Sequence, residues 1–242
     1  MHHGWHKSKQ QPFQMIPSTH PWVLEVQATL GAQGDAQDAL AMSAYMKNHF
    51  PFLGIKKPRL RALIQPLFSK ENRPSLEEAP LCISQLFDLE HREYHMVALE
   101  LFKKIEKRLT PEHLPWIKTL LQTKSWWDTV DFLATHGVGA LRQKYPDQVT
   151  PVVESWIYDD AMWINRTAII CQVLYRKQTD VLLLQEAILQ HQSSKEFFLR
   201  KAIGWSLRAF AQENPKWVLA FVEAQRDSLS GLSVREALKH FK

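Results

Sequence analysis

An aromatic ring and a carboxylate four residues apart are the first candidates for chemistry in this chain. Trp127 and Asp131 lie in a stretch where apolar residues recur with helical spacing, at Trp126, Val130, Leu133 and Ala134. Ser125 is suited to cap the start of this helix, and Gly137 to end it. Residues four apart project side by side from a helix. We therefore expect the Trp127 ring and the Asp131 carboxylate to form one site.

A further aromatic residue, Trp205, is flanked by two cations. Lys201 precedes it by four residues and Arg208 follows it by three, so a helix would place both beside the ring. This set suits a nucleotide, with the ring against sugar or base and the cations on phosphates. Periodicity alone favours the alternative, in which Trp205 is an apolar residue at a helix interface.

Arg166 lies in apolar company on its predicted helix, where it projects between Ile170 and Val173. An isolated buried guanidinium is very costly, so Arg166 needs a carboxylate or phosphate partner. Two interpretations stay open: an ion pair that joins neighbouring repeats, or a residue that orients Asp131 or binds a phosphate. Asp128 points away from Asp131 on the helical wheel, and we interpret it as hydrogen bonded or solvated.

The elements that must position these residues are predicted to be helices. Nearly every segment has helical periodicity, and no two-residue hairpin turn or sustained alternation indicates a sheet. Pro58 and Pro111 stand at apparent first turns, where a missing N–H costs little. The expected helices cover residues 20–32, 36–49, 58–69, 76–87, 91–108, 112–122, 126–136, 147–158, 161–176, 180–190, 195–212, 215–226 and 233–241.

Four of these helices form a weak internal repeat. Each carries early aromatic residues followed by small and apolar ones, and they begin near Glu93, Ser125, Ala161 and Lys195. Their starts are about 32 to 36 residues apart, in the range of paired-helix repeats. Such repeats stack into a curved solenoid whose concave wall binds extended ligands. We therefore predict an all-α, HEAT-like helical-repeat solenoid with a concave basic face.

Composition favours one sizeable domain after a loose tail. With 242 residues, 45% of them hydrophobic and 23% charged, the chain can bury a substantial core. We assign residues 1–18, which lack apolar periodicity, to the tail and 19–242 to the domain. No apolar run approaches the roughly 18 residues of a membrane span, and the N-terminal residues lack the apolar core that is typical of a signal peptide. We expect a cytoplasmic protein, with Cys82 and Cys171 as reduced core residues.

The charge balance favours a polyanionic partner. The chain has 30 Lys and Arg against 25 Asp and Glu, which gives a net charge of +5. Each basic cluster alone is more typical of a solvated helix face, but three clusters on repeated helices would form a stripe suited to phosphates. The clusters are Lys56, Lys57, Arg59 and Arg61; Lys103, Lys104, Lys107 and Arg108; and Lys195, Arg200, Lys201 and Arg208.

Three motifs resemble the AlkD-like DNA glycosylases, bacterial alkylation-repair enzymes built from HEAT-like repeats. They begin at Ser125 (SWWDTVD), Met162 (MWINRTA) and Phe197 (FFLRKAIGW). The resemblance runs from about Trp22 to the C-terminus. It implies that duplex DNA lies in the concave face, and that the catalytic residues are Asp131, Trp127 and Trp205. On the basis of this resemblance, we assign DNA contacts to Arg166, Lys201, Arg208 and Tyr45, and we expect Tyr45 to lie near the lesion.

One carboxylate is sufficient for a particular reaction. Most glycoside hydrolysis needs a second carboxyl group to protonate the leaving oxygen, but an N3- or N7-alkylated purine already carries positive charge and leaves as a neutral base. Asp131 then has only to stabilise the oxocarbenium-like sugar and orient water. We therefore expect a DNA glycosylase that requires no metal or redox cofactor. We expect it to be monofunctional, because the sequence gives no reason to place a nucleophilic lysine near the site.

The expected partner is double-stranded DNA that contains alkylated bases, without a membrane or an obligate protein partner, and we expect a monomer. Two alternatives stay open. A paralogue on the same scaffold could bind DNA structures without catalysis, although the presence of Trp127, Asp131, Arg166 and Trp205 argues for retained chemistry. A protein-interaction solenoid would make the basic clusters and the Trp–Asp pair incidental.

Overall fold

In the part of the chain that the structure describes, all regular secondary structure is helical. The computed structural model describes residues 18–241, and within them it contains α-helices with short 3-10 and π segments but no strand. Most of the predicted tail lies outside the described residues, so its boundary with the predicted domain 19–242 stays a prediction. The α-helices are α1 (Pro21–Gly31), α2 (Ala36–Tyr45), α3 (Lys57–Ile64), α4 (Ala79–Asp88), α5 (Arg92–Ile105), α6 (Leu114–Gln122), α7 (Trp127–Phe132), α8 (Ala140–Lys144), α9 (Pro146–Ile157), α10 (Met162–Ile170), α11 (Val181–His191), α12 (Phe197–Ala211), α13 (Pro215–Ala224) and α14 (Gly231–Ala237).

Four helices recur with a period of 35 residues. α5, α7, α10 and α12 begin at Arg92, Trp127, Met162 and Phe197, each 35 positions after the one before. α5 contacts α7, α7 contacts α10, and α10 contacts α12, so these helices form one row. α14 packs on α12 and extends the row, while α4, α9, α11 and α13 pack against its members. This arrangement confirms the predicted helical-repeat solenoid.

The centre of the core is α10. Every residue from Ile164 to Ile170 is buried, because α6, α7, α9, α11 and α12 all contact this helix. Polar groups on such a helix require partners, and Asn165 donates to the Trp156 and Asp159 carbonyls. The helix ends at Ile170, earlier than the predicted end at residue 176.

Both predicted ends of the site helix are wrong. Ser125 is not the N-cap: its hydroxyl donates to a carbonyl of α6 at 2.7 Å, and the extended residue Trp126 precedes the first turn. Gly137 does not end the helix, because α7 continues through a π-helical segment, Leu133–Gly139, into α8. A Cβ on Gly137 would lie 3.1 Å from the Phe102 ring. This glycine therefore permits close helix packing, not a helix stop.

A buried carboxylate holds the loop that follows α2. This helix ends at Tyr45, short of the predicted residue 49, because Lys47 and Asn48 have left-handed backbone conformations. The fully buried Glu93 of α5 accepts hydrogen bonds of 2.9 to 3.0 Å from three amides farther along the loop, those of Leu53, Gly54 and Ile55. Glu93 thus fixes the loop between α2 and α3 against the repeat row.

Glu93→Gln should lower the free energy of unfolding by about 1–3 kcal/mol, because a neutral amide accepts these bonds weakly and adds N–H donors that lack acceptors. Denaturant titration followed by circular dichroism would measure the loss. Glu25→Gln, which removes an exposed carboxylate on α1, is the control and should change stability by less than about 0.5 kcal/mol. Equal effects of the two substitutions would contradict the role given to Glu93.

Candidate active site

Four members of the repeat row, α7, α10, α12 and α14, line an open cleft of about 300 Å³. Six of the seven predicted site residues are in its lining. The seventh, Tyr45, lies against Trp127 with ring centroids 6.2 Å apart. The lining residues are Trp127, Asp131, Arg166, Phe197, Phe198, Lys201, Trp205, Arg208 and Glu236. The fold therefore brings together residues from three sequence motifs and adds three residues outside the predicted set.

A buried ion pair lies in this cleft. Arg166 Nε donates to Asp131 Oδ1 at 2.8 Å, and Nη2 donates to Oδ2 at 2.9 Å, which is a bidentate contact. Arg166 Nη1 donates to the Phe198 carbonyl. Arg166 is therefore both an ion pair between repeats and the group that orients Asp131. Its contact with a phosphate stays a prediction, and an exposure of 5% leaves little surface for it.

The surroundings of Asp131 act on its pKa in opposite directions. Burial raises the pKa of this carboxyl above its ordinary value, and the Arg166 guanidinium opposes the increase by stabilising the anion. The nearby Asp128 carboxylate adds to the increase. About a fifth of the Asp131 side chain, 20%, remains exposed, so a ligand can still reach the carboxylate.

Aromatic side chains form much of the cleft wall. Trp127 and Trp205 are half-buried, so each packs on apolar neighbours and also lines the cleft. Trp126, Trp163 and Phe198 form an adjoining cluster with ring centroids 4.8 to 5.8 Å apart. Close aromatic packing of this kind limits side-chain movement. The rings of Trp126, Trp163 and Phe198 therefore form a fixed support beside the cleft.

Both cations that flank Trp205 are paired with one carboxylate. Glu236 Oε1 lies 2.8 Å from Lys201 Nζ, and its Oε2 lies 2.6 Å from Arg208 Nη1. Hydrogen bonds from these two cations lower the pKa of Glu236 to about 2, so it is ionised at neutral pH. The prediction of two phosphate-binding cations thus left out an anion that competes for them.

The repeat period is the sequence signal that identifies Glu236. Asp131, Arg166, Lys201 and Glu236 are successively 35 residues apart, and they lie on α7, α10, α12 and α14. The pairs Asp131–Arg166 and Lys201–Glu236 therefore join neighbouring helices of the row, and all four residues occupy the same position in the 35-residue repeat. Phe198 likewise follows Trp163 by 35 residues. A comparison at this period finds Glu236 and Phe198, two of the three lining residues outside the predicted set, whereas a helical wheel describes one helix at a time.

Asp128 supports the site helix from the other side. It accepts a 3.0 Å hydrogen bond from Nε of the fully buried Arg92 on α5, which also donates to Thr129 Oγ1. Asp128 is thus hydrogen bonded, in keeping with its interpretation from the sequence. α7 is consequently tied to α5 by Asp128 and to α10 by Asp131.

The predicted basic clusters divide between pockets. Lys57 and Arg61 of the first cluster meet Lys103 of the second in a pocket of about 320 Å³ that Asp128 also lines. Lys104 and Arg108, from the second cluster, line a separate pocket. Because Asp128 belongs to α7, the first of these pockets adjoins the site helix.

Within residues 18–241, no three or more His, Cys, Asp or Glu side chains are grouped so that they could hold a metal ion. None of the helices in that range has the length and apolar character needed to cross a membrane. Cys82 and Cys171 are free thiols and both are buried, as predicted.

Fold and site define a helical-repeat protein with a charged, aromatic cleft, and comparison with known proteins gives its family. The chain belongs to the DNA alkylation repair enzyme family, whose model matches residues 26–241. It is similar to a solved structure described as a predicted DNA alkylation repair enzyme from Enterococcus faecalis. The two are 30% identical over 86% of this chain and 96% of that one, with a TM-score of 0.79. No curated protein matches this chain.

Arg166→Met should raise the pKa of Asp131 further, because it removes the cation that stabilises the anion while burial remains. NMR titration of the Asp131 carboxyl carbon, assigned with the help of Asp131→Asn, would measure the shift. Arg208→Met is the control, since Arg208 lines the same cleft but pairs with Glu236, and it should leave this pKa nearly unchanged. An unchanged or lowered pKa in Arg166→Met would disprove the partnership.

Proposed function

We propose that the protein is a monofunctional DNA glycosylase that hydrolyses the N-glycosidic bond of positively charged N3- and N7-alkylated purines in duplex DNA. Membership of the family supports a role in DNA alkylation repair. The observation that carries the finer proposal is the Asp131 carboxylate, oriented by Arg166 in a cleft lined by Trp127 and Trp205. An oriented anion among aromatic faces suits a cationic ligand.

The positive charge of the modified base removes the need for a general acid. The bond between the sugar C1′ and the base nitrogen breaks, its electron pair goes to the base, and the base leaves as a neutral molecule. Positive charge develops on the sugar, where the Asp131 anion stabilises it. Water then bonds to C1′ through its oxygen and loses a proton, for which Asp131 is the acceptor. An unmodified purine lacks the charge and leaves much less readily.

The contact with Arg166 leaves Asp131 free to act. Each of its oxygens accepts one N–H from Arg166, and a carboxylate oxygen has a second lone pair available. Because the carboxylate is already oriented, it does not have to reorganise as charge develops on the sugar. Such preorganisation is the usual source of electrostatic catalysis.

The aromatic residues would hold the modified nucleotide. Trp127 and Trp205 would each favour a cationic or electron-poor group by roughly 0.5–2 kcal/mol. Tyr45, which is 72% exposed, extends this surface beside Trp127. Lys201 and Arg208 would contact backbone phosphates near Trp205. An open cleft of this kind suits a nucleotide that stays largely stacked more than one that is flipped into a closed pocket.

Incubation with methylated duplex DNA tests the proposal. The wild-type protein should release free methylated purine and leave abasic sites without cutting the strand. Binding of the duplex with no release at high protein excess would instead identify a non-catalytic DNA-structure binder. The absence of both binding and release would favour a protein-interaction solenoid.

Asp131→Asn should slow single-turnover base release by about 10- to 1,000-fold, because it keeps the shape but removes the charge that faces the sugar. DNA affinity should change little. Asp147→Asn removes an exposed carboxylate on α9 and should leave release unchanged. Near wild-type release by Asp131→Asn would rule out the assignment of Asp131.

Trp127→Ala and Trp205→Ala should each weaken binding of the modified nucleotide by about 1–3 kcal/mol, through loss of stacking and cation–π contact. Competition between damaged and undamaged duplex would show the effect as reduced discrimination. Trp217→Ala removes a tryptophan stacked on Phe221 outside the cleft, and it should lower only the melting temperature. The same outcome for Trp127→Ala or Trp205→Ala would make that residue part of the core.

A further inference from the structure

One ionised residue of the cleft, Glu236, has no place in the proposed reaction. Asp131 already provides the anion for the sugar. A carboxyl group whose pKa is lowered to about 2 cannot donate a proton at neutral pH. Glu236 instead forms ion pairs with Lys201 and Arg208, the two cations that would bind the DNA backbone.

Helix packing places Glu236 in the cleft. α14 lies so close to α12 that a Cβ on Gly204 would be 2.4 Å from the Glu236 Cβ and 2.9 Å from the Ser233 carbonyl oxygen. A larger residue than glycine would therefore push α14 away. The position of Glu236 is thus set by backbone packing, in contrast to exposed ion pairs between two flexible side chains.

The two cations are held in different ways. Arg208 Nη1 donates to the Glu236 carboxylate and, at 3.0 Å, to the Glu236 backbone carbonyl, so Arg208 also anchors the end of α14. Lys201 has a single contact with Oε1, and 37% of its side chain is exposed. Of these two cations, Lys201 is the one that a phosphate can more easily take from Glu236.

We propose that Glu236 competes with DNA phosphates for Lys201 and thereby limits the affinity of the protein for duplex DNA. The inference rests on the proposed function, because it requires duplex DNA to enter the cleft. In the free protein Glu236 neutralises Lys201, so the attraction for any duplex is weakened. A phosphate that binds Lys201 must first displace this carboxylate. Glu236 therefore lowers the affinity for damaged and undamaged duplex alike, by the free energy needed to displace its carboxylate.

Glu236→Gln tests this competition with undamaged duplex. The variant should bind about five- to tenfold more tightly at low salt, because Lys201 is free before DNA arrives. In the wild-type protein, the displaced Glu236 takes up a cation from solution, so fewer ions are released in total. The variant should therefore show a steeper fall of log affinity with log salt, by up to about one unit.

The matched control is Glu223→Gln. It removes the same charge from α13, where Glu223 pairs with Arg226 outside the cleft. An equal gain in affinity for the two variants would mean that net charge alone is responsible, and would overturn the proposal. A gain confined to Glu236→Gln, with the steeper salt dependence, supports it.

A double-mutant cycle gives a second criterion. Lys201→Ala should cost more affinity in the Glu236→Gln background than in the wild-type protein, because only the free lysine gives its full attraction to the phosphate. Equal costs in the two backgrounds would show that the residues are not coupled and would overturn the proposal. If Glu236→Gln melts at a markedly lower temperature, Glu236→Met, of similar volume, takes its place in the same titrations.

Wild-type binding separates this inference from the proposed function. If the wild-type protein neither binds duplex DNA in a salt-dependent way nor releases methylated purine, the proposed function itself fails. If it does both, and Glu236→Gln behaves like Glu223→Gln, only the competition between Glu236 and phosphate is disproved.

Discussion

The buried pair of Arg166 and Asp131 is the contact on which the rest of the site depends. Removing two charges from water is unfavourable, and a buried pair is tolerated only when its geometry is good and its remaining donors are satisfied. Both conditions hold, because the contact is bidentate and Arg166 also donates to the Phe198 carbonyl. Since α10 is enclosed by five other helices, Arg166 cannot move without disturbing the core. The carboxylate is consequently oriented by a side chain that belongs to the core.

The same principle repeats along the row of helices. Arg92 pairs with Asp128 between α5 and α7, and Lys201 pairs with Glu236 between α12 and α14. In a repeat protein each unit contacts only its neighbours, so pairs between consecutive repeats fix the orientation of each helix relative to the next. These contacts determine where side chains on different helices meet, and the cleft is the place where four such helices bring their charges together.

The cleft combines opposite charges in a way that suits its proposed ligand. Three cations, Arg166, Lys201 and Arg208, face two anions, Asp131 and Glu236, which leaves a formal charge of +1. A strongly positive cleft would attract any stretch of DNA through its phosphates. A nearly balanced cleft attracts the backbone less and leaves an anion available for a positively charged nucleotide. Recognition then depends more on the aromatic faces and on Asp131.

The sequence by itself determined the fold class and the association of Trp127 with Asp131, because helical periodicity and spacing within one helix follow from local backbone geometry. The family followed from the resemblance of three motifs. The ends of the helices were harder to predict from the sequence. The N-cap assigned to Ser125 and the stop assigned to Gly137 were wrong, since residues with those local preferences are instead used in packing and hydrogen bonding with other helices.

Only the tertiary structure decided which charges are paired. The sequence left Arg166 with two interpretations and left Glu236 out of the site. Both were resolved by contacts between helices whose residues are 35 positions apart in the chain. The physical reason is that a helical wheel describes the surroundings of a side chain on its own helix. The free energy of a buried charge depends on the groups that neighbouring helices bring to it.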